Sequence, residues 1–106
     1  MREISVDELA TLVGTGATEA DAVLIDVRER AEFVEGRVPT AVNVPMGRLP
    51  GHMASLDRTV PVYLICRSGN RSGAMTDLLA ASGFDAVNVA GGTDAWIRSG
   101  RTTEEG

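Results

Sequence analysis

The sequence holds one cysteine, Cys66, and one histidine, His52. A single cysteine excludes an internal disulfide, a multi-thiolate zinc site and a C-x-x-C redox pair. A single histidine excludes a two-histidine metal site, so neither a metal nor a cofactor is read from the chain. Long apolar runs are also missing: none approaches the ~20 residues that a membrane helix needs. The opening stretch MREISVDELATLV is interrupted by acidic residues where a signal peptide keeps an unbroken apolar segment, which predicts a cytoplasmic protein. Positive charge is in deficit, with a formal net charge of -5. That balance disfavours nucleic acid and anionic membranes as partners. An anionic substrate would have to be attracted by a local cluster of positive groups.

What is present suffices for one core. At 106 residues the chain is a single domain, residues 1–106, with a core expected over about 3–100 and a frayed tail at 101–106. A chain of this size buries roughly two thirds of its unfolded surface, enough to stand without staples. Hydrophobic residues at 43% and charged residues at 24% are ordinary for a globular domain.

Ser5 and Glu8 form a capping-box pattern before Leu9, Leu12 and Val13, predicting a helix that Gly14 closes. Ile4 ends a short strand before it, and GTGATEAD reads as a loop. Compact apolar runs at 22–26, 41–44, 61–65 and 86–90 predict buried strands. Between them lie a short helix from Arg28 to Glu35 and a loop over 46–60 with weak helical character. A helix bearing Met75, Leu78, Leu79 and Ser82 at helical spacing follows, ended by Gly83 and Phe84. A last helix over Thr93 to Ser99 carries Trp96. This alternation predicts an α/β domain with a mainly parallel sheet and helices on both faces. Ligands of such sheets bind beyond the C-terminal ends of the strands, and Cys66 stands at that end of the clearest one.

The chemistry gathers in Cys66-Arg67-Ser68-Gly69-Asn70-Arg71-Ser72. A short loop between a buried strand and a helix start turns successive N–H groups toward one centre and makes an anion-binding nest. Gly69 permits the left-handed backbone such a nest needs, and Asn70 is the next most tolerant residue type. Arg67 and Arg71 add two permanent charges. A thiol there has an unperturbed pKa of about 8.5 and reacts as its thiolate. Lowering it by about two units takes roughly 3 kcal/mol. The helix end alone supplies about 0.3–1 kcal/mol, so the nest and the arginines must add to it. The loop is thus suited to a thiolate and, beside it, an oxyanion such as thiosulfate or sulfite. The plainer alternative, Cys66 as a small apolar core residue, does not account for two arginines, a glycine and a helix start within six residues.

Three segments resemble the rhodanese family in its single-domain form: LIDVRERAEFVEGRVPTAVNVP, PVYLICRSGNRS and GFDAVNVAGGTDAW. The resemblance covers nearly the whole chain and implies a five-stranded parallel α/β fold. It also implies a sulfurtransferase in which Cys66 takes a sulfane sulfur from a donor such as thiosulfate. The cysteine holds it as a persulfide and passes it to cyanide, a small thiol or a protein thiol. On that basis the N–H groups from Arg67 to Ser72 cradle the persulfide, and Arg67 and Arg71 bind the donor or brace the loop. Arg37 and Thr40 stand where the family usually has the His and second Gly of a Gly-His-Ile-Pro-Gly-Ala sequence.

Asp26 and Arg28 should lie at the same sheet edge as Cys66, either orienting the loop arginines or, as the sequence favours, forming an ion pair that holds the strand-to-helix turn. Arg71 is expected to reach a carboxylate such as Asp26 and fix the loop, with Arg67 freer to meet an anion. Glu32 could pair with Arg37 but is read as a solvated helix face, Trp96 as packing and His52 as surface. Cysteine phosphatases and arsenate reductases typically place five residues between cysteine and arginine, whereas four separate Cys66 from Arg71. The remaining alternative is a sulfur carrier or redox sensor on the same fold that does not turn over.

Overall fold

The computed structural model describes all 106 residues. The predicted strands form as β2 (Val23–Asp26), β3 (Val42–Asn43), β4 (Val62–Ile65) and β5 (Ala86–Val89), joined by β1 (Glu3–Ile4). The helices are α1 (Val6–Gly14), α2 (Ala17–Ala20), α3 (Arg30–Glu35), α4 (Leu49–His52), α5 (Asn70–Ala81) and α6 (Gly92–Arg98). All strand pairings are parallel, in the order β1-β5-β4-β2-β3. Residues alternate across the sheet with the period of two that strands impose. Val62 and Leu64 pack with Leu49, Leu79 and Phe84 on one face. Ile65 packs with Leu9, Val89 and Trp96 on the other.

The helix ends obey local chemistry. Glu8 N–H donates to the Ser5 hydroxyl and Ser5 N–H to the Glu8 carboxylate, both at 3.1 Å. At the end of α5, Gly83 adopts φ +89, while Phe84 N–H reaches Leu79 O at 3.0 Å and Gly83 N–H reaches Ala80 O at 3.1 Å. That is the Schellman ending expected from Gly-Phe.

Four features depart from the sequence reading. Ala17–Ala20 forms a short helix inside the stretch read as loop. Helix α5 starts at Asn70, because Gly69 at φ +108 turns the chain into it earlier than expected. Its fully buried face is Ser72, Gly73, Thr76 and Leu79, since its N-terminal turns pack under the cysteine loop and need small or polar side chains. Residues 101–106 are held rather than loose. Arg37 and Glu104 exchange a pair of backbone hydrogen bonds at 3.0 Å, and the Trp96 indole N–H donates to Thr102 O at 2.9 Å. The departure from the usual family sequence also has a local consequence. Thr40 takes φ +76, a conformation that glycine adopts freely and a β-branched residue does not. Its hydroxyl, 2.8 Å from that of Thr18, helps to hold it there.

After β2 the chain moves outward to β3, and after β4 it moves the other way to β5. Between two neighbouring strands whose continuations part, a crevice opens at their C-terminal ends. Arg28 lines one side, paired with the fully buried Asp26. The Arg28 guanidinium donates to both Asp26 oxygens at 2.8–3.1 Å and to Gly36 O at 2.8 Å. Asn43 Nδ2 donates to the carbonyls of Asp26 and Arg28. The pair is almost fully buried, with side chains 0% and 6% exposed, so it fixes the β2–α3 turn, as the sequence favoured. Removing one partner of such a pair strands a buried charge. Asp26→Ala should therefore lose about 3–5 kcal/mol in urea denaturation, and adding Arg28→Met should recover part of the loss. A loss under about 1 kcal/mol would rule out this role.

Candidate active site

β4 leads directly into Cys66, which is 1% exposed and whose side chain points to the α5 side of the sheet. The next residues are shaped by α6. Thr93 N–H and the Thr93 hydroxyl both donate to Cys66 O, at 2.9 and 3.1 Å, and Asp94 N–H donates to Arg67 O at 2.9 Å. With its carbonyls drawn toward α6, the loop presents N–H groups to the sulfur. Gly92 makes this approach feasible. At φ +59, a Cβ there would lie 2.5 Å from Cys66 O and 2.6 Å from Arg67 O. The sequence reading began the last helix at Thr93 and missed Thr93 and Asp94 as anchors, although the free N–H groups of a helix start are the pattern that supplies such donors.

Around Sγ, Gly69 N–H donates at 3.1 Å, Ser72 N–H at 3.4 Å and the Ser72 hydroxyl at 3.2 Å. Burial pushes the thiol pKa up. The Ser72 hydroxyl and the N–H groups of Ser72, Gly69 and Ser68 outweigh it, and the net shift is downward. Hydrogen bonds to the charged form therefore lead here, where the sequence reading shared the task with two arginine charges, and of those charges Arg71 does feel Cys66.

Both arginines turn to Glu32 instead. Arg71 grips it with a planar fork, Nη1 to Oε1 at 2.8 Å and Nη2 to Oε2 at 2.9 Å. Arg67 Nε stands 3.5 Å from Oε2, with its side chain 59% exposed. Two sequence expectations are corrected. Arg71 does not pair with Asp26, because Arg28 already occupies that carboxylate. Glu32 is not a solvated face, because its place in the first turn of α3 aims it at the loop, where its Oε1 also accepts Glu29 N–H at 3.1 Å. Ser68 and Asn70 are exposed, and Asn70 opens α5. Trp96 is buried in the core and His52 is exposed, as expected. Beside the loop lies a cleft of about 210 Å³ lined by Arg28, Glu32, Glu35, Arg67 and Asp94 among others.

The Arg71 bonds, opposed by burial and aided by Glu29 N–H, hold the Glu32 pKa down to about 2, from an ordinary 4.5. A carboxylate whose folded pKa is depressed stabilises the fold above its unfolded pKa and loses that contribution as pH falls toward the folded one. Glu32→Gln should thus cost about 1–3 kcal/mol at pH 7. The gap from the parent protein should close between about pH 4.5 and pH 2, as urea titrations across that range will read. A gap independent of pH would contradict the pairing.

Comparison with known proteins agrees with this geometry. The Rhodanese-like domain family matches residues 5–99. "Putative sulfurtransferase YtwF" of Bacillus subtilis is 42% identical over 95 residues, covering 88% of this chain and 92% of that protein. A protein of Allochromatium vinosum named "Sulfurtransferase" is 36% identical over 85 residues, covering 79% of each. The crystal structure of a rhodanese-related protein from Thermoplasma volcanium superposes with a TM-score of 0.86 at 29% identity, covering 97% of both chains. With its matching fold, its cysteine loop at the end of β4 and these relatives, the chain belongs to the rhodanese-like domain family.

Proposed function

We propose that the protein is a sulfurtransferase that carries a sulfane sulfur as a persulfide on Cys66. The observation that carries this reading is the buried Sγ met by N–H and O–H donors from Gly69 and Ser72. Such a site favours a thiolate without a metal or a histidine base. Two displacements complete the reaction. In the first, the thiolate attacks the sulfane sulfur of a donor such as thiosulfate. A Cys66–sulfur bond forms, the donor S–S bond breaks, and its electron pair leaves on sulfite. In the second, cyanide or a thiolate attacks the outer sulfur, and the pair returns to Sγ.

Arg67, exposed and only loosely held by Glu32, is the cation able to meet an anionic donor. Arg71, committed through both ends of its fork, shapes the loop. The loop also bears on the phosphatase alternative. With four residues between Cys66 and Arg71 and Gly69 N–H 3.1 Å from Sγ, it closes around one sulfur atom and leaves little room for a tetrahedral ester.

Mass spectrometry after incubation with thiosulfate and no acceptor should find one added sulfur atom on Cys66, absent in Cys66→Ser. Transfer activity surviving in Cys66→Ser would end this reading, and efficient hydrolysis of an aryl phosphate by the unaltered protein would replace it. The arginines should separate by role. Arg71→Lys should lower kcat at least tenfold, because an ammonium cannot copy the fork on Glu32. Arg67→Ala should mainly raise the thiosulfate KM. The reverse pattern would exchange the two assignments.

A further inference from the structure

Asn88 stands on β5 beside the cysteine loop. It is 2% exposed and has no part in the two displacements described above. Its alternation on β5 aims the carboxamide at α5. Nδ2 donates to Glu3 Oε2 at 2.9 Å, across the β1–β5 register that pairs Glu3 with Asn88, and makes a longer contact of 3.5 Å with Gly69 O. Both of those partners only accept, so the amide nitrogen must face them and Oδ1 must face Ser72. The Ser72 hydroxyl, 0% exposed, lies 2.7 Å from Asn88 Oδ1 and 3.2 Å from Cys66 Sγ. It has one proton for these two acceptors.

Which acceptor wins depends on the charge of the sulfur. A thiolate is a charged acceptor and draws the O–H strongly, whereas a thiol or the inner sulfur of a persulfide accepts weakly. We propose that Asn88 is a positioning residue for sulfur transfer, holding the Ser72 hydroxyl beside Sγ and taking its hydrogen bond whenever Sγ is uncharged. The proposal rests on the persulfide reading above. In the first displacement the Sγ lone pair becomes the new bond, sulfite departs with the pair of the broken S–S bond, the outer sulfur keeps the negative charge it held in thiosulfate, and the Ser72 O–H turns from the now uncharged Sγ to Asn88 Oδ1. In the second the electron pair returns to Sγ, and the O–H turns back. No atom is exchanged with Asn88. Its carboxamide keeps a fully buried hydroxyl paired in the half of the cycle in which Sγ carries no charge and the charge sits on the outer sulfur. Of the charged groups facing this trio, Glu3 on β1 holds Asn88 and Arg71 of the loop feels Cys66; Glu32 on α3, which pairs with Arg71 and Arg67, and the Asp26–Arg28 pair after β2 complete the charges of this sheet edge.

A residue that competes for the proton and one that merely props the loop predict opposite signs. By accepting the hydroxyl, Asn88 favours the uncharged sulfur. Asn88→Leu keeps the approximate shape and removes the acceptor, so the Cys66 thiolate should form more readily. The midpoint of the pH dependence of Cys66 alkylation should fall by about half a unit to one unit. The equilibrium for loading sulfur from thiosulfate at fixed sulfite should weaken about three- to tenfold, the same factor. Ser72→Ala should raise the midpoint, and in that background Asn88→Leu should no longer shift it. Asn88→Ala, which asks less of the surrounding packing, should give the same signs if Asn88→Leu does not fold. A midpoint that rises or stays put in the Asn88 variants, or a shift that persists without Ser72, overturns the proposal. Failure of the unaltered protein to gain sulfur at Cys66 would instead overturn the persulfide reading beneath it.

Discussion

Cys66 is 1% exposed, and yet its Sγ is surrounded by donors suited to a negative charge. Burying a charge without partners costs far more than a domain of this size can lose, so the structure around the sulfur is organised to supply them. The supply begins at a distance. Thr93 and Asp94 at the start of α6 take the carbonyls of Cys66 and Arg67, which leaves the loop's N–H groups free for the sulfur. Gly92 lets α6 come close enough to do so, and Gly69 turns the chain so that its own N–H points back. The parallel sheet sets β4 beside β5 and β2, which brings α5, α6 and α3 around one strand end.

The same constraint explains why the arginines are not where a simple electrostatic reading puts them. The charges of Arg67 and Arg71 are partly balanced by Glu32, and the N–H and O–H donors hold the sulfur. This division has a physical advantage. Short donors act at a fixed point and are insensitive to solvent, whereas an exposed guanidinium such as Arg67 is screened and mobile. It leaves Arg71 as a brace between the loop and α3, and Arg67 as the part of the site that meets the outside.

Much of the fold was legible in the sequence because it rests on local signals. The capping box at Ser5, the Gly83-Phe84 helix ending and the compact apolar runs each carry their own instruction. Cys66 and its loop were legible for the same reason, being contiguous. Glu32, Thr93, Asp94 and Asn88 were not, because each acts across the fold: Glu32 bonds to a residue 39 positions away, and Thr93 to one 27 positions away. Their residue types are common on solvated faces and helix starts, and only the strand order brings them to one edge. The buried face of α5 was misjudged because its apolar periodicity at Met75 and Leu78 competes with the demand for small residues under the loop. The tail was misjudged because its hydrogen bonds are to backbone and to Trp96, partners that composition does not announce.

The chemistry of the loop depends on a thiolate at Cys66. Its most direct test is the pH dependence of Cys66 alkylation by a small neutral reagent, in the folded protein and again in denaturant. The folded midpoint should lie clearly below the ordinary thiol value of about 8.5 and return to it when the loop is unfolded. A folded midpoint at or above that value would mean that burial outweighs the donors from Gly69 and Ser72, and would contradict a thiolate at Cys66.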